Sequence, residues 1–513
     1  MEKIIEMKGI TKVFPGTVAN DDVNFELLGG ETHVLLGENG AGKTTLMNVL
    51  YGLYQAEKGD IFVKGQLVKI MSPNDAIALG IGMVHQHFML VHNFTVAENI
   101  VLGSEPKQGL KLDMKKAIRN VEEISKKYGF NIDPNAVIED ISVGQQQKVE
   151  ILKALYRGAE ILILDEPTAV LTPQEIIELG VIIDNLKAEG KSVILITHKL
   201  KEVMSMSDRV TIVRRGKVTG TVKTKETSID QLAELMVGRK VNLVVDKKTA
   251  KIGAAVLEVE GLVALDHRGL PAVNGIDLVV KRGEILGIAG VDGNGQSEFV
   301  EVLTGLRKAK EGKIVLNGKD ILNKNPEEIN NDGMGHIPED RHKRGLILKY
   351  SLFENAILGI HKNKPFSKGI VMNYKAIREH CNKLIKEFDV RTPNDEVAAS
   401  ALSGGNQQKL IVAREISKDP ELLIASQPTR GLDVGAIEYI HGRLVQERDN
   451  GKGVLLVSLE LDEIMALSDR IAVMYDGKVV AVLDRKDATE HKLGILMAGG
   501  TLEEAEKEGK KVE

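Results

Sequence analysis

Residues Gly37-Glu38-Asn39-Gly40-Ala41-Gly42-Lys43-Thr44-Thr45 fit the spacing G-x-x-x-x-G-K-[ST], a loop that can wrap a polyphosphate. Its glycines let backbone N–H groups crowd around phosphate oxygens, and the N-terminus of a following helix adds partial positive charge. Lys43 is placed to reach the β- and γ-phosphates, and the Thr44 hydroxyl to ligate magnesium. Leu164-Asp165-Glu166-Pro167 sets two carboxylates at the end of an apolar run. Asp165 suits the magnesium shell; Glu166, one residue on, suits polarisation of an attacking water. A second apolar run, Val193-Ile194-Leu195-Ile196, ends in Thr197-His198, where the imidazole can donate to the γ-phosphate or orient the water. Ile141-Ser142-Val143-Gly144-Gln145-Gln146-Gln147 reads as a small-residue turn and anion site, ahead of an amphipathic helix that begins near Lys148. Gln86 lies between His85 and His87; these histidines and His92 match no simple helical or strand spacing for a metal. Phe14 is a candidate base-stacking aromatic.

Such residues need a scaffold, and the flanking patterns supply one. Val34-Leu35-Leu36 before the loop and Leu46-Met47-Asn48-Val49-Leu50 after it read strand, loop, helix. Ile161–Leu164 and Val193–Ile196 are apolar on both faces, as strands inside a parallel sheet are. Pro173 to Glu189 between them reads as a helix. The alternation predicts an α/β nucleotide-binding fold with a mainly parallel sheet.

At 513 residues the chain exceeds one core, so two or more domains are expected. A net charge of −5, with 27% charged residues, gives no global basic field for nucleic acid. The single cysteine, Cys381, excludes an internal disulfide and a cysteine-based zinc site, and reads as an inert thiol. No apolar run approaches the ~18 residues of a membrane helix, so action at a membrane requires membrane partners. The N-terminus, Met1-Glu2-Lys3-Ile4-Ile5-Glu6, lacks the apolar core of a signal peptide.

The chain is also a repeat. Shifted by 253 positions, Gly37–Thr44 falls on Gly290-Val291-Asp292-Gly293-Asn294-Gly295-Gln296-Ser297, and Gly82–Gln86 on Gly335-His336-Ile337-Pro338-Glu339. Ser207-Asp208-Arg209-Val210 matches Ser468-Asp469-Arg470-Ile471. Domains are therefore expected at residues 1–240 and 255–498, with a seam over 241–254 and a charged, solvated tail over 499–513.

Phosphate loop, Gln86, the Ile141–Gln145 turn, Asp165-Glu166 and His198, in that order, resemble the ATP-binding cassette (ABC) ATPases, and the resemblance covers nearly the whole chain twice. It implies two tandem P-loop ABC ATPase domains, each a mainly parallel sheet core with a helical subdomain and an antiparallel β subdomain. It implies ATP and Mg2+ as cofactors, Gln86 as the glutamine linking magnesium to the transporter, and head-to-tail pairing of two cassettes. Each ATP then lies between one phosphate loop and the other half's signature turn. The Pro338-Glu339-Asp340-Arg341 and Gln427-Pro428-Thr429-Arg430-Gly431-Leu432-Asp433 runs look like the simple-sugar and nucleoside importer branch. Met83–Leu90 and Gly290–Ser297 look most like its purine-nucleoside members. That branch works with two integral-membrane permeases and an extracytoplasmic substrate-binding lipoprotein, and places this subunit on the cytoplasmic face of the membrane.

Against that pattern the second half is degenerate. Gln296 replaces the loop lysine, Ser426-Gln427 stand for Asp165-Glu166, Leu459 for His198 and Glu339 for Gln86; Asp266 or His267 falls where Phe14 stands. Yet the second half has the better signature turn, Leu402-Ser403-Gly404-Gly405-Asn406, and keeps Asp433, whereas the first half has Val143 in place of a glycine and Thr172 opposite Asp433. Head-to-tail pairing would assemble one complete site, Lys43, Asp165, Glu166 and His198 with Ser403–Asn406 and Asp433. The other collects every defect: Gly290, Gly293, Gly295, Gln296, Ser297, Ser426, Gln427 and Leu459 with Ser142, Gly144 and Gln145. One hydrolytic site and one regulatory or structural site are expected. A simple-sugar importer is the runner-up. A soluble twin-cassette protein acting on ribosomes would carry a longer charged linker and both acidic pairs, and a chromosome ATPase would need zinc cysteines or a coiled coil.

Overall fold

The computed structural model describes residues 2–86, 88–108, 111–168, 171–240, 245 and 247–506, in two compact units, 1–241 and 242–513. In the first unit the apolar runs become strands buried along their whole length: Thr32–Leu36, Ile161–Asp165 and Ser192–Thr197. They lie in a six-stranded sheet ordered Lys217–Lys223, Arg209–Arg214, Thr32–Leu36, Ser192–Thr197, Ile161–Asp165, Ile81–Val84. Every pairing is parallel except the first.

The register brings the chemistry together. Thr197 pairs with Leu36, Ile196 with Asp165 and Leu164 with Val84. Gly37, Glu166, His198 and His85 therefore leave the sheet at one edge, the carboxyl ends of parallel strands, where α/β folds bind ligands. A four-stranded antiparallel sheet, ordered Thr17–Leu28, Lys3–Phe14, Lys58–Val63, Gln66–Val68, forms a second layer. Ile5 and Phe25 of that layer share a core with Leu35, Ile163 and Ile194 of the parallel sheet and with Leu46 and Leu50. The latter two lie on helix Lys43–Leu50, so the helix behind the phosphate loop is fixed by packing on its apolar face. Helices Val96–Val101, Met114–Tyr128 and Val143–Tyr156 pack on one another as a helical part.

The second unit repeats this plan. Its antiparallel sheet runs Pro271–Lys281, Ala255–Leu265, Glu311–Leu316, Lys319–Asp320. Its six-stranded sheet runs Met334–Ile337, Leu422–Ser426, Gly453–Val457, Ile285–Ala289, Arg470–Tyr475, Lys478–Asp484, parallel except for the last pair.

Several expectations shift. The helix placed near Lys148 begins at Val143, because Ser142 caps it: its hydroxyl accepts from the Gln145 backbone N–H at 3.3 Å while the Gln145 side chain accepts from the Ser142 N–H. Helix Pro173–Ala188 ends one residue early. Of the seam, Val241–Val244 and Asp246 lie outside the described residues, as do His87 and tail residues 507–513. The rest of the seam is fastened to the second unit: Val245 packs on its core, and Lys247 Nζ donates to the carbonyls of Leu467 (2.9 Å) and Ser468 (2.6 Å). The tail does not start out fully solvated, since Ala505 is buried. Burial pushes the Cys381 thiol up to about 12, which keeps it protonated and unreactive. Among the described residues no helix is long and apolar enough to cross a membrane.

Candidate functional site

The first phosphate loop is shaped by glycines that nothing else could replace. Gly42 holds φ +100°, and a Cβ there would fall 2.2 Å from the Ala19 carbonyl oxygen; one on Gly37 would fall 2.3 Å from that of Val213. Asn20, which sequence reasoning passed over, donates from Nδ2 to the Gly42 carbonyl at 3.0 Å and ties the loop to the antiparallel sheet. Lys43 opens helix Lys43–Leu50 and donates from Nζ to the carbonyls of Gly37 (2.8 Å) and Glu38 (2.9 Å). Burial draws its pKa down, against the opposing charges of Glu166 and Asp165. Asn39, Gly40 and Ala41 form the crest of the loop, and Thr44 and Thr45 the first turn of the helix.

The two carboxylates diverge in chemistry. Asp165 is buried, which pushes its pKa up to about 6 although the Thr44 hydroxyl donates to it at 3.3 Å. Glu166 sits at φ +47°, a strained backbone for a glutamate, fixed by its N–H donating to the Ile196 carbonyl at 2.9 Å. That turn aims its carboxylate between two partners. Gln86 Nε2 donates to Oε2 at 2.8 Å, and His198 Nδ1 lies 3.0 Å from Oε1. The His198 contact holds Glu166 below the usual carboxylate range despite its burial. Behind them the buried Glu202, not anticipated from sequence, accepts from Thr197 Oγ1 at 2.9 Å and from Thr168 Oγ1. Its signal was in the repeat: Glu463 likewise accepts from Thr429 Oγ1, at 2.7 Å. Lys43, Thr44, Asp165, Glu166, Gln86 and His198 thus form one cluster, with Thr44, Asp165 and Gln86 the oxygen donors for a hard divalent cation. Phe14 ends its strand with its ring edge-on to Tyr54 at 5.4 Å and the Lys12 ammonium 5.4 Å from its centroid.

The second unit keeps the shape without the chemistry. Gly293 and Gly295 again hold φ +86° and +92°. A Cβ on Gly290 would meet Gln296 Nε2 at 2.2 Å. Gln296 Nε2 donates to the Val291 carbonyl at 3.1 Å, an uncharged stand-in for Lys43 bonding Glu38. Gln427 keeps the strained φ of +47° and the backbone bond to Val457, at 2.7 Å. Its Oε1 merely accepts from the Leu459 N–H at 3.3 Å, and Ser426 beside it is buried. Ser297 donates to Glu339 Oε2 at 3.0 Å, and Arg430 Nη1 pairs with the other oxygen at 2.7 Å. No ionisable acid stands where Glu166 stands, so this cluster cannot take a proton from water there.

The signature turns differ too. In the second unit Asn406 Nδ2 donates to Ser403 Oγ at 2.9 Å, so the Ser403 hydroxyl caps no backbone N–H at the start of helix Gly404–Ser417. Asp433 caps the next helix through the Ala436 N–H at 2.7 Å and lies beside Gly405. In the first unit the Ser142 hydroxyl is engaged with Gln145, and a Cβ on Gly144 would strike Glu175 at 2.1 Å.

The sequence profile described as ABC transporter matches residues 20–169 and 273–430. The chain is 57% identical over 507 residues, 99% of each chain, to the guanosine import ATP-binding protein NupO of Bacillus subtilis (strain 168). It is 54% identical over 503 residues, 98% of this chain and 99% of the relative, to the nucleoside import ATP-binding protein NupA of Lactococcus lactis subsp. cremoris (strain MG1363). A solved complex of archaeal ribosomal stalk protein aP1 with archaeal ribosome recycling factor aABCE1 matches 93% of this chain and 90% of that one, with a TM-score of 0.59 at 18% identity, a likeness of fold.

Proposed function

This chain belongs to the ABC transporter family and is an ATP-binding, ATP-hydrolysing subunit of an importer; we propose that it drives uptake of purine nucleosides from the cytoplasmic face of a cell membrane. The observation that carries the hydrolytic part is Glu166, ionised and held at both oxygens by Gln86 and His198 beside the phosphate loop. Membrane permeases are the partners; an extracytoplasmic binding lipoprotein completes the proposed importer.

Lys43 exchanges the Gly37 and Glu38 carbonyls for the β- and γ-phosphates. Magnesium, which supplies charge neutralisation of the polyphosphate, suits Thr44, Asp165 and Gln86, an all-oxygen set. Glu166 takes the proton from the attacking water, and His198 holds the Glu166 carboxylate and the γ-phosphate side in register. Ser403, Gly404, Gly405, Asn406 and Asp433 of the second unit complete this site when the units pair around ATP. Binding then favours the closed state by its differential affinity, and hydrolysis releases it. The second loop, with Gln296, Ser426 and Gln427, holds nucleotide without hydrolysing it or serves as structure. Beside Gln86, Met89 is 69% exposed over a cleft of about 140 Å³ lined by Tyr51, Met83, His85 and Glu150, a place for a permease segment to dock.

Uptake of labelled guanosine, adenosine and ribose by cells with and without this gene tests the substrate. Loss of both nucleosides with ribose uptake intact is expected. Loss of ribose uptake alone would overturn the nucleoside assignment in favour of the sugar branch.

A further inference from the structure

Within the first unit, two segments leave the parallel sheet side by side and must stay in step for the site to work. One is Glu166-Pro167-Thr168 after strand Ile161–Asp165; the other is Thr197-His198 at the end of strand Ser192–Thr197. The bond from the Glu166 N–H to the Ile196 carbonyl ties them at the sheet, and His198 meets Glu166 beyond it. Neither contact involves Thr168. Glu202 reaches it from the first turn of helix Leu200–Met206. Its Oε2 accepts from Thr197 Oγ1 at 2.9 Å and its Oε1 from Thr168 Oγ1, and all three side chains are buried. Lys199 completes the brace: its N–H donates to Thr197 Oγ1 at 3.0 Å and its Nζ to the Thr168 carbonyl at 3.5 Å.

A buried carboxylate is costly, and burial pushes the acidity of Glu202 upward. The repeat shows that it does more than fill space. The shift of 261 that aligns Ser142 with Ser403 places Thr429 on Thr168, Ser458 on Thr197 and Glu463 on Glu202. In the second unit Glu463 Oε1 accepts from Thr429 Oγ1 at 2.7 Å and lies 2.9 Å from His441 Nε2, while its Oε2 is buried without a hydrogen-bond partner. The Ser458 hydroxyl accepts instead from the Glu460 N–H at 3.1 Å. Both units keep the acid. It spans the two segments only where they carry Glu166 and His198; where they carry Gln427 and Leu459 the span is broken. A packing role would be filled alike in both units, whereas a brace between a base and its histidine is needed in one.

We propose that Glu202 is a positioning residue of ATP hydrolysis: its carboxylate braces Thr168 against Thr197 and so sets the separation at which His198 holds Glu166. The inference rests on Glu166 as the base, as proposed above. Glu202 touches neither nucleotide nor water in this role. It acts through the Glu166–His198 contact, so its loss misaligns the base without removing a contact to ATP, which lowers kcat and leaves KM nearly unchanged.

The test is steady-state ATP hydrolysis by the full chain in its importer, measured across pH. Glu202→Leu, similar in size but without acceptors, is expected to cut kcat about tenfold to a hundredfold, the cost of misplacing a reacting group by ~1 Å, with KM for ATP within about threefold. Glu202→Gln, whose amide accepts from one threonine and donates to the other, keeps kcat within about threefold of the parent. The pH profile separates positioning from packing. His198 holds Glu166 low against its burial, with smaller help from the charges of Lys43 and Lys199. A loosened contact raises the Glu166 pKa, so the acid limb of the kcat profile moves to higher pH in Glu202→Leu. Thr197→Val, which keeps the shape and removes one donor, shifts kcat and the limb in the same directions and serves where the leucine variant does not fold. A kcat within about twofold of the parent overturns the inference, as does a lowered kcat with an unmoved acid limb, which is a packing role. Glu166→Gln separates the two readings. If it hydrolyses at the parent rate, the assignment of the base fails and the inference with it; if it is inactive while Glu202→Leu is normal, only the inference fails.

Discussion

Asp165 and Glu166 are adjacent in sequence and pushed apart in acidity by what surrounds them. Burial lifts Asp165 from its ordinary 3.8 to about 6, while His198 holds Glu166 low. The first becomes a cation ligand whose charge is costly until a cation arrives; the second becomes a base that ionises more readily than an ordinary glutamate. A folded pKa raised above the unfolded one means stability present below pH 3.8 is lost as pH rises through about 6. The shift corresponds to about 3 kcal/mol. Asp165→Asn is therefore expected to melt higher than the parent at pH 7.5, with the gap closing between pH 6 and 4, and to hydrolyse no ATP. Thermal melts of nucleotide-free protein across that range check it; a gap independent of pH would contradict the account. The residue types of this site were legible in the sequence because the phosphate loop and acidic pair have fixed spacings. The φ of Glu166 and the partners of Glu339 were not, since both depend on strands and loops distant in the chain.

At the scale of elements, strands were legible because runs such as Val193–Ile196 are apolar on both faces. Their register was not, and it is the register that delivers Gly37, Glu166 and His198 to one edge. The helix after Ser142 was set too late because hydrophobic periodicity starts well inside it, whereas its true start is a capping box of polar side chains. The phosphate loops make a prediction about shape apart from chemistry. Gly42 and Gly295 hold φ +100° and +92°, with a carbonyl 2.2 and 2.1 Å from any added Cβ. Gly42→Ala and Gly295→Ala should each destabilise its own unit by roughly 2–4 kcal/mol, combining left-handed strain with overpacking. Urea unfolding followed by a probe in each unit reads this out. Similar losses are expected in both units; a tolerated alanine at Gly295 would mean that the second loop has relaxed along with its chemistry.

Across the whole molecule, one sequence carries the same plan twice and has kept geometry in both copies while keeping acid–base chemistry in one. The strained turn at Glu166 survives at Gln427 with the same φ of +47°, and the Lys43 contact survives as an uncharged Gln296 hydrogen bond. The repeat was legible by self-alignment, and so was the sorting of its defects. The Ser297–Glu339–Arg430 cluster was not, because the sequence shows its members only as separate runs. The repeat also supplies a clean variant. Glutamine is already the native residue at this φ in the second unit, so Glu166→Gln removes the base without straining the backbone. Asparagine tolerates left-handed backbone, so Gln427→Asn perturbs the second unit mildly. The most direct measurement is ATP turnover of these two variants side by side in the assembled importer. The account predicts a fall of roughly 10²-fold or more for Glu166→Gln, the loss expected for a positioned base, and turnover within about twofold of the parent for Gln427→Asn. Equal losses in the two variants would contradict a division into one hydrolytic unit and one that does not hydrolyse.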